Sequence, residues 1–186
     1  MNNNQKGLLI TLVGVLFVTP DSLFVRLIDA DTMIVAFWRS TLSAILISCF
    51  LLISEGPSCF KNILIMGKLG WIYCFLIGST SPAFVLAINN TSVANVVFIF
   101  SAIPAFTALF TWIFLGEYLS KKVCWTIFAV AIGLAIISYG SSEIEISHWS
   151  GDAMALYIAL AYAAGLTILR GLKHISMIPA IPIGYL

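Results

Sequence analysis

Asp21 and Arg39 are the residues of this chain whose type and position could do chemistry, because each is the one charge inside a long apolar run. Gly7–Val25 contains Asp21 and Thr32–Ile53 contains Arg39. At ~1.5 Å per helical residue, Asp21 lies about 21 Å along the first run and Arg39 about 10 Å back along the second. Antiparallel helices therefore bring them to a similar depth. A charge at membrane depth costs at least about 2.5–3.5 kcal/mol, and a facing partner offsets much of that. Two functional roles fit: Arg39 holds a substrate carboxylate, or Asp21 takes up a proton. Two structural roles fit as well: a mutual ion pair that fixes helix geometry, or Asp21 capping a break at Pro20.

Other polar and aromatic residues lie on the same runs. Asn95 opens the fourth helix, and Phe98, Ala102 and Ala105 follow it on one helical face. This face could read a small polar-and-apolar substrate, or supply an interhelical hydrogen bond worth about 0.6 kcal/mol. Trp38 and Tyr73 anchor at the membrane interface by default and line a pocket as the second reading. Pro20, Pro82 and Pro104 each delete a backbone donor and kink the first, third and fourth helices. Irregular backbone at membrane depth lines a cavity or is buried in protein. Glu117, with Lys121 four residues on, reads as a salt bridge or cap in a loop rather than a substrate contact. Small residues at four-residue spacing (Ser79, Ala83 and Ala87; Ala129 and Gly133; Ala155, Ala159 and Ala163) read as close-packing faces.

Six apolar runs must position these side chains. Beyond the first two, Leu69–Gly116 has no charged residue or His in 48 positions and is split by Asn89-Asn90-Thr91-Ser92; Val123–Tyr139 and Ala153–Leu169 complete the set. A helical span needs about 20 mostly apolar residues. Hydrophobic residues make up 61% of the chain and charged ones 9%, against about 25% charged in a soluble domain. The fold expected is an all-α polytopic bundle in a lipid bilayer. With alternating helices, Lys6, Lys61, Lys68, Lys121, Lys122, Arg170 and Lys173 fall on one side, and Arg26 on the other with Asp29, Asp31, Glu143, Glu145 and Asp152. The positive-inside rule puts the first side and the N-terminus in the cytoplasm, with a bacterial inner membrane as the expected location. The first run shows no small-residue cleavage pattern and reads as a retained helix rather than a signal peptide.

Several function classes are excluded. The net charge of +1 comes with no basic stripe for nucleic acid. Cys49, Cys59, Cys74 and Cys124 lack a C-x-x-C spacing and read as reduced thiols. His148 and His174 fall on opposite sides of the membrane and cannot share a metal. No phosphate-cradling loop or Ser-His-Asp set is present, so no catalytic residue, cofactor or metal is expected. A homodimer is compatible with the sequence, and nothing in it selects one.

A shift of 144 residues aligns Gly7 with Gly151, Leu12 with Leu156, Leu16 with Leu160, Arg26 with Arg170, Met33-Ile34 with Met177-Ile178 and Ala36 with Ala180. Five helices separate the copies. Five is odd, so the second copy enters from the opposite side, as in the inverted repeats of many secondary transporters.

Ala36-Phe37-Trp38-Arg39, together with Ile103-Pro104-Ala105-Phe106-Thr107-Ala108-Leu109 continuing to Leu115-Gly116-Glu117-Tyr118-Leu119-Ser120, resembles the EamA domain of the drug/metabolite transporter superfamily. The Trp125–Gly140 helix fits the same domain. The resemblance implies one five-helix unit over residues 7–140 and the start of an inverted second unit over 151–186. It also implies ten helices in all around a central cavity, and makes Glu117 a motif residue. The chain stops inside the run Met177–Leu186, whose ten residues are too few to span, so it reads as a fragment or a truncated product. The expected function is secondary transport, in the export direction, of small metabolites such as amino acids or drugs by alternating access. The alternative is a non-transporting membrane assembly subunit or an inactive truncated transporter. A membrane-embedded enzyme would need paired acidic or His residues at one depth, and only Asp21 qualifies.

Overall fold

The computed structural model describes residues 3–18, 20–61, 67–140, 149–172 and 176–186. His148, His174, Glu143, Glu145 and Lys173 lie outside the described residues. Every apolar run becomes helix: α1 (Asn3–Val18) and α2 (Asp21–Leu27), α3 (Thr32–Ser54), α4 (Lys68–Asn90), α5 (Val93–Phe100), α6 (Ile103–Leu115), α7 (Lys121–Gly140) and α8 (Trp149–Gly171). A short α9 (Ala180–Tyr185) ends the chain, and no strand occurs among the described residues. Among the described residues, five helical segments are long and apolar enough to cross a bilayer: Gln5–Val25, Thr32–Ser54, Lys68–Asn90, Val93–Leu115 and Trp149–Gly171. The 20 residues of α7 extend about 30 Å at ~1.5 Å each, which also matches the hydrocarbon thickness.

Local sequence sets the ends. Asp31 caps α3 by accepting from the Met33 amide at 2.8 Å, and Ser92 caps α5 by accepting from the Asn95 amide at 3.1 Å. These caps satisfy amide donors that no helical carbonyl can reach. Gly116 closes α6 with φ 68°, a left-handed position that suits a residue without a Cβ.

The three prolines act differently from one another. Pro20 stands at the N-terminus of α2, so the first span is two helices with a break between them. Pro82 lies inside α4, which runs through it without interruption. Pro104 is not a kink within a continuous helix: α5 ends at Phe100, and Pro104 occupies the first turn of α6, where no amide donor is needed. That break also interrupts the face expected to join Asn95 and Phe98 to Ala102 and Ala105.

Helix α8 is the centre of the bundle. It packs most extensively against α4, then against α6 and α5. Ala155, Ala159 and Ala163 are completely buried, which realises the small-residue face read in the sequence. At Gly151, an added Cβ would lie 2.7 Å from the Asn90 carbonyl carbon, so the two backbones touch there. Helix α9 sits between α3 and α4, where a Cβ at Gly78 would overlap the Gly184 carbonyl. Lipid tails are as apolar as Leu, so close backbone approach and van der Waals contact, rather than hydrophobic drive, hold such helices together. Helices α1 and α7 lie at the periphery, with Leu8, Ile10, Trp125 and Ile136 exposed on an apolar surface that suits lipid.

The contacts also fix which helix ends lie together. Asn89 bonds Thr32 at 2.9 Å and Thr91 bonds Asp152 at 2.7 Å, so the end of α4 meets the starts of α3 and α8. At the opposite end, Arg170 reaches Glu117 at 3.5 Å and joins the ends of α6 and α8. The second end carries Lys68, Lys121, Lys122 and Arg170; the first carries Asp31 and Asp152.

Candidate functional site

Helix α3 carries Arg39 about two turns below its Asp31 cap, and the break at Pro20 starts α2 at Asp21. The two side chains meet. Arg39 Nη2 lies 2.6 Å and Nε 3.3 Å from the two carboxylate oxygens of Asp21, a forked pair. This geometry is the strong form of a charge-assisted contact. Asp21 is the first residue of α2, so its carboxylate lies in the first helical turn and also holds Arg39.

Helix α4 supplies the rest. Arg39 Nη1 donates to Ser81 Oγ at 3.1 Å, and Ser40 Oγ lies 2.7 Å from the same oxygen. The guanidinium carbon sits 4.8 Å from the centre of the Phe84 ring, a cation–π distance. Ser81 and Phe84 are three residues apart on α4 and so share a face. Three of the five guanidinium donors are thereby engaged. The pair is about one-third exposed, 30% for Arg39 and 32% for Asp21, so it is reachable rather than sealed.

A small aromatic cavity of about 140 Å³ lies nearby, lined by Tyr73, Ile77, Tyr162, Leu169, Ile181 and Tyr185. Tyr162 and Tyr185 both stand on its wall, and Tyr185 is within electrostatic reach of Arg39. Tyr73 is thus a buried wall residue, 5% exposed, and not an interfacial anchor.

The other expected residues are dispersed. Trp38 is exposed and packs edge-on against Phe37 at 5.8 Å between ring centres. Asn95 belongs to a cluster between α5 and α8: its side-chain amide donates to Thr91 Oγ1 at 3.3 Å and to Asp152 Oδ1 at 3.5 Å. Phe98 covers Gly133 of α7, where an added Cβ would fall 2.9 Å from its ring. Glu117 pairs with Arg170, not with Lys121. The physical reason is Gly116, which ends α6, so residues 117 and 121 are not on one continuous helix. Ser40, Ser81, Phe84, Tyr162 and Tyr185 were not singled out in the sequence. All four cysteines are free thiols. Among the described residues, no group of three His, Cys, Asp or Glu side chains could hold a metal.

An ion pair set between three helices of an apolar bundle, beside a tyrosine-lined cavity, defines an integral membrane protein with a polar centre. A family model of EamA-like transporters matches residues 5–139, and the chain belongs to the EamA-like transporter family. Comparison with curated proteins and with solved structures finds no match.

Proposed function

We propose that the chain is a secondary transporter of small amphipathic metabolites, working by alternating access in the export direction, with Asp21 and Arg39 at the centre of the substrate path. The observation that carries this reading is the forked pair itself. Two unlike charges stand at membrane depth, one-third exposed, with hydroxyls and an aromatic face around the guanidinium. Removing one partner leaves a bare charge at membrane depth, which costs about 2.5–3.5 kcal/mol before solvent screening. Exchange of partners avoids that cost. A substrate carboxylate that replaces Asp21 on Arg39 keeps the guanidinium neutralised, and a proton on Asp21 removes the charge left behind. Pro20 supports this exchange, since a proline at the start of α2 removes a backbone donor that would otherwise tie α2 to α1.

Trp38, Tyr73, Asn95 and Phe98 belong to this reading in unequal measure. Tyr73 stands closest to it, as a wall of the cavity that Tyr185 links to Arg39. The 144-residue spacing supports residues 7–140 as one five-helix unit and 151–186 as the start of an inverted second. The basic end, with Lys68, Lys121, Lys122 and Arg170, supports a cytoplasmic N-terminus in a bacterial inner membrane. The test is flux in proteoliposomes with a panel of amino acids and cationic drugs. Wild type moves at least one compound; Arg39→Ala inserts normally and moves none. Wild-type flux by Arg39→Ala would remove Arg39 from the path.

A further inference from the structure

A groove opens between α4, α6 and α8 at the basic end of the bundle, away from the Asp21–Arg39 pair. Its volume is about 440 Å³, and Leu69, Ile72, Leu76, Phe114, Ala164 and Ile168 line it. Leu69, Ile72 and Leu76 share one face of α4, so the groove extends about 10 Å along the helix axis at ~1.5 Å per residue. Thr167 on its floor is 4% exposed, and its hydroxyl is taken up by the Ala163 carbonyl at 2.8 Å. Ile72 and Phe114 are exposed at its sides, so the groove is open laterally, where lipid tails lie.

The rim is basic. Lys68 precedes Leu69 at the start of α4, and Arg170 precedes the lining residue Gly171 at the end of α8. Lys68 is exposed and forms no ion pair among the described residues. Arg170 meets Glu117 at 3.5 Å with both side chains about half exposed. That separation exceeds the ~2.7–2.9 Å of a strong charge-assisted bond, so the guanidinium keeps donors for another anion.

We propose that this groove holds one acyl chain of an anionic phospholipid, with its headgroup phosphate taken by Lys68 and Arg170. A molecule with an anion at the membrane surface and a hydrocarbon chain directly beneath it matches both the rim and the groove. Basic pockets between membrane helices recognise lipid headgroups by this combination. The inference needs only the membrane location and is independent of the transport reading.

The test uses the purified chain in detergent, titrated with phosphatidylglycerol or phosphatidylcholine of identical chains and read by native mass spectrometry. Wild type retains one phosphatidylglycerol in preference to phosphatidylcholine. Lys68→Gln with Arg170→Gln, both on exposed side chains that spare the fold, weakens phosphatidylglycerol binding about 25-fold. That is about fivefold for each charge, from ~1 kcal/mol per basic residue near an anionic surface. Ala164→Phe fills the groove and abolishes retention of both lipids. Equal retention of the two lipids by wild type, or unchanged phosphatidylglycerol binding in either variant, would overturn the proposal. So would a dimer peak that excludes lipid and is lost on Ala164→Phe, which would make a second copy the occupant.

Discussion

Asp21→Ala and Arg39→Ala, singly and together, separate the energetics of the pair from those of its surroundings. Without Asp21, Arg39 keeps the Ser81 hydroxyl at 3.1 Å and the Phe84 ring at 4.8 Å, but loses its counter-charge. A lone charge at membrane depth costs at least about 2.5–3.5 kcal/mol, and the retained hydrogen bond and cation–π contact return roughly 1 kcal/mol each. One-third exposure screens both sides of that balance. Asp21→Ala is therefore expected to destabilise the bundle by about 0.5–1.5 kcal/mol, and Arg39→Ala, whose bare carboxylate keeps no such contacts, by up to about 3 kcal/mol. The double variant carries neither charge, and Ser81 keeps its contact with Ser40 at 2.7 Å. It is expected to lose less than the sum of the singles by about 1–3 kcal/mol, a coupling that a double-mutant cycle reads directly. Reversible unfolding in mixed micelles is the assay. Single effects that add within about 0.5 kcal/mol would refute a coupled pair.

Two further outcomes follow from the packing. Gly78→Leu places a side chain where the Gly184 backbone lies, so α9 must leave its slot between α3 and α4; an overpacking loss of about 1–3 kcal/mol is expected in the same unfolding assay, and Gly14→Leu, which meets nothing within 4 Å, serves as the neutral control. Glu117→Gln removes an exposed pair and is expected to change stability by no more than about 1 kcal/mol, with the small effect fading as salt rises.

The helices and the central pair were legible in the sequence because both rest on one-dimensional rules. Apolar run length sets the spans, and a count along two adjacent helices puts Asp21 and Arg39 at one depth. The alanine stripe of α8 was legible for the same reason, since four-residue spacing is a face wherever the helix packs. What surrounds the pair was not legible. Ser81 comes from 42 residues beyond Arg39, and one serine in Ser79-Thr80-Ser81 carries no mark that distinguishes it until α4 is rotated against α3. The one available signal was the polar run before Pro82, the densest in the third span. Glu117 misled because its spacing to Lys121 has meaning only on a continuous helix, and Gly116 ends α6 first. Asn95 and Phe98 were joined to Ala102 and Ala105 by a periodicity that the Ser101–Ala102 break cancels. Tyr73 was read by its residue type, whereas its burial depends on α8 and α9, whose approach no local pattern encodes.

In the proposed transport cycle Arg39 handles substrate rather than only bracing α2 against α3. Flux through the Asp21→Ala/Arg39→Ala double variant in proteoliposomes tests that claim most directly, because this variant removes both charges while restoring most of the stability lost by either single change. The expected result is a folded, correctly inserted protein that moves none of the compounds carried by wild type. Wild-type flux by the double variant would contradict it and reduce the pair to a structural brace.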